Sequence, residues 1–112
     1  MKYMLLVYFE EQELSEDERQ HCYTESNQLV EQLNANGNFL AAAPLHSVSL
    51  ATSVRIRDGK KLVTDGPFAE THEQLGGYYL VNADNLDQAI DIAARIPGAK
   101  FGTIEVRPVI EL

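Results

Sequence analysis

Hydrophobic and polar positions follow two different periods along this chain. Residues 2–9 (KYMLLVYF) are apolar at nearly every position, the pattern of a strand covered on both faces. Side chains alternate along a strand, so Met4, Leu6 and Tyr8 fall on one face and Tyr3, Leu5, Val7 and Phe9 on the other. From residue 15 the period changes. Ser15 and Glu18 stand at capping-box spacing, where a hydroxyl takes a backbone N–H and a carboxylate reaches back. No proline or glycine follows until Gly37, and Cys22, Leu29, Val30 and Leu33 share one helical stripe. The pattern predicts a first helix running to Asn36, with Gly37 taking the left-handed C-terminal conformation that other residues resist.

Phe39 to Ala43 predicts a short strand ended by Pro44, and residues 45–52 have no clear period and predict a loop or ragged strand. Val54 and Ile56 alternate with Arg55 and Arg57, Asp58-Gly59 suits a tight turn, and Leu62-Val63-Thr64 completes a hairpin. Gly76-Gly77 opens a strand through Val81. Asp84 or Asn85 then caps a second helix, with Leu86, Ala89, Ile90 and Ala93 as its expected buried stripe and Pro97-Gly98 as its stop. A last strand, residues 103–110, sets Ile104 and Val106 opposite Glu105 and Arg107. This order predicts an α+β chain, a ferredoxin-like βαββαβ fold with an extra β-hairpin. Both helices would cover one face of an antiparallel sheet. The first strand is apolar on the other face too, so a homodimer with two stacked sheets is expected.

Composition narrows the partners. The chain has 112 residues, 45% hydrophobic and 23% charged, as expected of one globular domain over 1–112. Seventeen acids against nine Lys and Arg give a net charge of −8. Such a surface repels phosphate backbones and anionic lipid, so neither nucleic acid nor membrane is an expected partner. The apolar run Tyr3 to Phe9 falls far short of the ~20 residues of a membrane span and of a secretory signal. Cys22 is the only cysteine, which excludes an intrachain disulfide and a cysteine zinc site and fits a cytoplasmic, reducing setting. His21, His46 and His72 lack metal-ligand spacing, and Gly76-Gly77 lacks the rest of a phosphate loop. No metal and no cofactor are expected.

Candidate chemistry concentrates in residues 64–79 (TDGPFAETHEQLGGYY). Asp65 could serve as a general base, or cap the Gly66-Pro67 turn through its carboxylate. Phe68 can bury its ring as an anchor, Glu70 adds an acid, and Gly76-Gly77 admit a close backbone or ligand. Tyr23 and Tyr78 combine an apolar ring with a polar tip, which suits a pocket for a small organic ligand. Tyr78 and Tyr79 must point to opposite sheet faces. His46 follows the Pro44 turn, where a cleft could open. Two classes of function stay open on these residues. One is a small-molecule-binding domain or cofactor-free enzyme, with Asp65 as base in proton transfer or elimination. The other is a non-catalytic sensor or partner module that offers its hairpin to a basic protein.

The tetrapeptide Asp65-Gly66-Pro67-Phe68, the continuation AETHEQLGGYYLV, the segment ADNLDQAIDIAARIPGA, the terminal IEVRPV and the opening KYMLLVY together resemble the DGPF subgroup of the YCII-related family. The resemblance covers essentially the whole chain. It implies a dimeric α/β barrel, in which two ferredoxin-like sheets pair, and a link in some relatives to sigma-factor pathways. The wider family also implies a proposed catalytic His–Asp pair, with ring-dehalogenating elimination in at least one lineage. Aligned on Gly37, this chain has Ser26 at the histidine position and Ile96, before Pro97, at the aspartate position. The chemistry of that pair does not carry over.

Overall fold

The computed structural model describes residues 1–112. Strand β1, Lys2–Phe9, leads to helix α1, Glu16–Ala35, and strand β2, Phe39–Pro44. Strands β3, Thr52–Arg57, and β4, Lys60–Asp65, form the hairpin. Strand β5, Gln74–Asn82, helix α2, Leu86–Ala94, and strand β6, Thr103–Pro108, complete the chain. The span without clear period holds a short 3₁₀ turn, Val48–Leu50, before β3 begins.

Local signals act where they stand. Ser15 Oγ accepts the Glu18 N–H at 3.1 Å, and the Glu18 carboxylate accepts the Ser15 N–H at 3.0 Å. At the other end of α1, Gly37 has φ 77°. The Asn38 N–H reaches the Leu33 carbonyl at 2.8 Å and the Gly37 N–H the Asn34 carbonyl at 3.2 Å, a Schellman closure. Asn85 caps α2 by accepting the Gln88 N–H at 2.9 Å. Asp58 and Gly59 both take positive φ, 51° and 74°, as a two-residue hairpin turn requires.

The main sheet has the order β2-β5-β1-β6, every neighbouring pair antiparallel. Each strand-helix-strand unit therefore skips over one strand of the other unit, which is the ferredoxin-like arrangement. Register sorts the side chains. Leu5 lies opposite Tyr79 and Val106, and Ala42 also lies opposite Tyr79. These belong to the face that packs Tyr3, Leu5, Val7, Tyr79 and Val81 against Leu29 and Leu33 of α1 and Ala89, Ile92 and Ala93 of α2. The buried stripe of α2 differs from the expected one. Leu86 and Ile90 are 50% and 48% exposed, while Ile92 is buried. Successive helical residues diverge by about 100°, so a face centred on Ala89, Ile92 and Ala93 turns Ile90 to the flank.

The opposite sheet face has no helix. It presents Met4, Leu6 and Tyr8 of β1, Tyr78 and Leu80 of β5, and Ala41 and Ala43 of β2, all only half-buried. The Cα radius of gyration is 15.6 Å, against about 13 Å for a compact chain of this length. No helix is long and apolar enough to cross a membrane.

Candidate functional site

Helix α1 packs tightly at one end and stands off the sheet at the other. Cys22, Ser26, Leu29 and Leu33 follow one another at helical spacing along its sheet-facing side. Leu29 and Leu33 are buried, whereas the small Cys22 and Ser26 leave space beneath the first turns. The sheet opposite is equally thin there, with Ala42 and Ala43 on β2 and Gly76 and Gly77 on β5. The glycines are required by close approach. A Cβ on Gly76 would run into the Phe9 ring, and one on Gly77 would sit 3.1 Å from the Ala43 carbonyl.

The result is a cleft of about 370 Å³, whose wall also includes Ile96, Pro97, Gly98 and Phe101. That volume is at the small end of ligand pockets. Its polar groups converge from α1 and β5. Tyr79 is 5% exposed. Burial pushes its phenol up, only partly offset by the neighbouring Ser26 side chain, so it stays a neutral donor at physiological pH. Burial also raises the Cys22 thiol, helped by the negative charges of Glu25 and Glu18 and opposed by Lys100 and Arg19. It is therefore a poor nucleophile. Arg19 is the one cation in the wall and lies 3.9 Å from Glu16. No Asp, Glu or His lines the cleft, and no cluster of three such side chains or cysteines is placed to hold a metal ion.

The residues singled out along the chain divide into two groups. Tyr23 and Tyr78 belong to the cleft wall, although strand alternation sends the Tyr78 ring to the face opposite Tyr79. Asp65, Phe68, Glu70 and His46 are exposed and do not line it. Asp65 ends β4, and its carboxylate makes no hydrogen bond. The turn that follows is closed instead by the Gly66 N–H to the Ala51 carbonyl, 2.7 Å, and by Ser53 Oγ to the Gly66 carbonyl, 2.9 Å. Phe68 is not a buried anchor. It is 77% exposed and carries the Arg55 guanidinium 5.3 Å from its ring centroid. His72 pairs with Glu10, and Glu73 accepts the Thr103 hydroxyl at 2.8 Å. Ser26 had a usable signal, since small residues interrupt a stripe that ends in large aliphatics, whereas nothing along β5 marked Tyr79 as its neighbour.

The profile of the YCII-related domain matches residues 1–112. The chain belongs to the YCII-related family. An uncharacterised protein of Rhizobium meliloti (strain 1021) is 41% identical over 75 residues, covering 65% of this chain. The match spans 60% of that relative's own length. In this YCII-related domain, Ser26 and Ile96 both stand in the cleft wall.

Proposed function

We propose that the cleft under α1 binds a small, mainly apolar organic ligand bearing an acceptor oxygen or nitrogen. One observation carries this: a cleft of about 370 Å³ walled by aliphatic and aromatic residues, with the buried Tyr79 phenol and Ser26 hydroxyl as its convergent polar groups. Both groups are neutral donors or acceptors, which orients a ligand without requiring it to carry charge. The enzymatic form of the reading needs a base. Asp65 would have to be brought to a cleft that it does not line within one chain, so binding is the form supported here.

A thermal-shift series with small phenols, ketones, lactones and amines tests it. A compound present at 100 times its Kd adds about 2.7 kcal/mol, which raises Tm by about 10 °C in a chain of this size. Tyr79→Phe keeps the ring and removes the hydroxyl, and should lose most of that shift. Equal shifts in both proteins, or ligand-induced NMR changes confined to residues 52–70, would remove the cleft from consideration.

The domain acts as a dimer through the open sheet face. The accessible surface is 7797 Å², about 1,600 Å² more than a folded monomer of this length exposes. The projecting hairpin contributes to that surplus, and the uncovered apolar sheet face is the kind of surface that an obligate pair buries. Leu80→Glu should then yield a monomer in sedimentation. A variant that still dimerises at wild-type affinity would place the contact elsewhere.

A further inference from the structure

Hairpin β3–β4 is a two-stranded sheet that pairs only with itself. Its register puts Val54, Ile56 and Val63 on one face, 60%, 59% and 57% exposed. The other face carries Arg55, Arg57 and Lys60 around Leu62. None of these cations, nor Lys61, takes part in an ion pair. Charge is segregated along the chain. Residues 52–65 hold four cations and two acids, whereas all other residues hold five cations and fifteen acids. The hairpin is a positive, partly aliphatic arm on a strongly negative body. The basic partner expected from the overall charge does not fit it.

The body carries the complementary surface. A groove adjoining the cleft is walled by Glu10, Glu13, Asp17, Glu18 and Glu25, with Lys100 its one lysine or arginine. Leu14, Cys22, Pro97 and Phe101 line both groove and cleft. A small anion would answer the cations of the arm but not its aliphatic side chains. The groove answers the cation-bearing face, its acids opposite Arg55, Arg57 and Lys60 and its apolar floor opposite Leu62. Arm and groove belong to the same chain, so a two-fold pairing makes the contact twice.

We infer that the hairpin of one copy docks in the acidic groove of a second copy, against the wall that the groove shares with the ligand cleft. This rests on the dimer reading in needing a second copy, but it uses a different surface from the open sheet face.

Charge exchange on the full chain tests it, read by sedimentation and by amide exchange in residues 52–65. Arg57→Glu with Lys60→Glu should weaken dimerisation about tenfold or more, flatten its salt dependence, and speed exchange in the hairpin. Adding Glu13→Lys and Asp17→Lys in the same chain should restore both readouts. All four sites are exposed, and unchanged circular dichroism verifies folding. Unaltered dimerisation and exchange after the first reversal, or no recovery after the second, would overturn the docking. So would a monomeric wild type whose hairpin is protected only by added polyglutamate, which would assign the arm to a foreign acidic partner. Leu80→Glu separates the two contacts. Loss of the dimer there, with the hairpin reversal silent, breaks the arm and leaves the sheet-face pairing standing.

Discussion

Strands β1 and β4 are both built from aliphatic residues paired in antiparallel register, yet Leu5 is fully buried and Val63 is 57% exposed. The difference lies in the neighbours. Strand β1 is the second strand from the edge of a four-stranded sheet, with two helices over one face. Strand β4 has one partner and nothing over either face. A lone two-stranded hairpin is marginal in water. The body therefore supplies most of the stability of the chain, and the arm supplies surface for something outside it.

Substitutions that remove matching groups from the two regions sharpen this contrast. Leu33 has no exposed surface. Leu33→Ala should cost about 2–5 kcal/mol in urea unfolding, through lost burial and the cavity left behind. Val54→Ala should stay within about 0.5 kcal/mol. A comparable loss at Val54 under dimerising conditions would mean that the Val54 face of the arm is covered as well as the face of Arg57 and Lys60, and the contrast would fail.

Glycines differ in the same way. A Cβ on Gly102 would collide with the Tyr8 backbone carbonyl and the Phe9 side chain. Gly102→Ala should cost about 1–3 kcal/mol or more, because a backbone atom cannot step aside. Gly59 has open space around it but φ 74°. Gly59→Ala should cost only about 1 kcal/mol, the strain of a left-handed residue, expressed as faster amide exchange in the hairpin.

Removing the cap of α1 comes next. Ser15→Ala should cost about 1 kcal/mol of global stability, since the capped helix is part of the body. The smallest effect is a matter of pH. The Glu18 carboxyl is held below its ordinary value of 4.5 by the backbone hydrogen bond from Ser15 and then by the side-chain one. A depressed carboxylate contributes stability above its unfolded value and loses it as pH falls through the lower folded value. Stability curves of the wild type and Glu18→Gln should therefore converge as the pH drops below 4.5. A gap that persists at the lowest pH would assign the effect to packing.

Strand and helix order, the capping box at Ser15 and Glu18, the Gly37 terminus and the Asp58-Gly59 turn were all readable along the chain. Each depends on a few adjacent residues, so its physics is local. The open sheet face was legible too, because strand one is apolar at both parities. Long-range packing was not legible. The face that α2 buries depends on how the helix rolls against Leu5 and Val81, so Ile92 replaced Ile90. The densest run of functional-looking residues, around Asp65, lies outside the cleft because the hairpin carries it off the sheet edge. Ser26 and Tyr79 meet only because α1 crosses β5, and no spacing within either element records that encounter. Charges that sum to −8 are already segregated along the chain, but only the structure shows that residues 52–65 stand apart as an arm paired with nothing else. Local conformation follows from neighbours in the chain, whereas a site requires side chains from separate elements, and only register and packing bring those together.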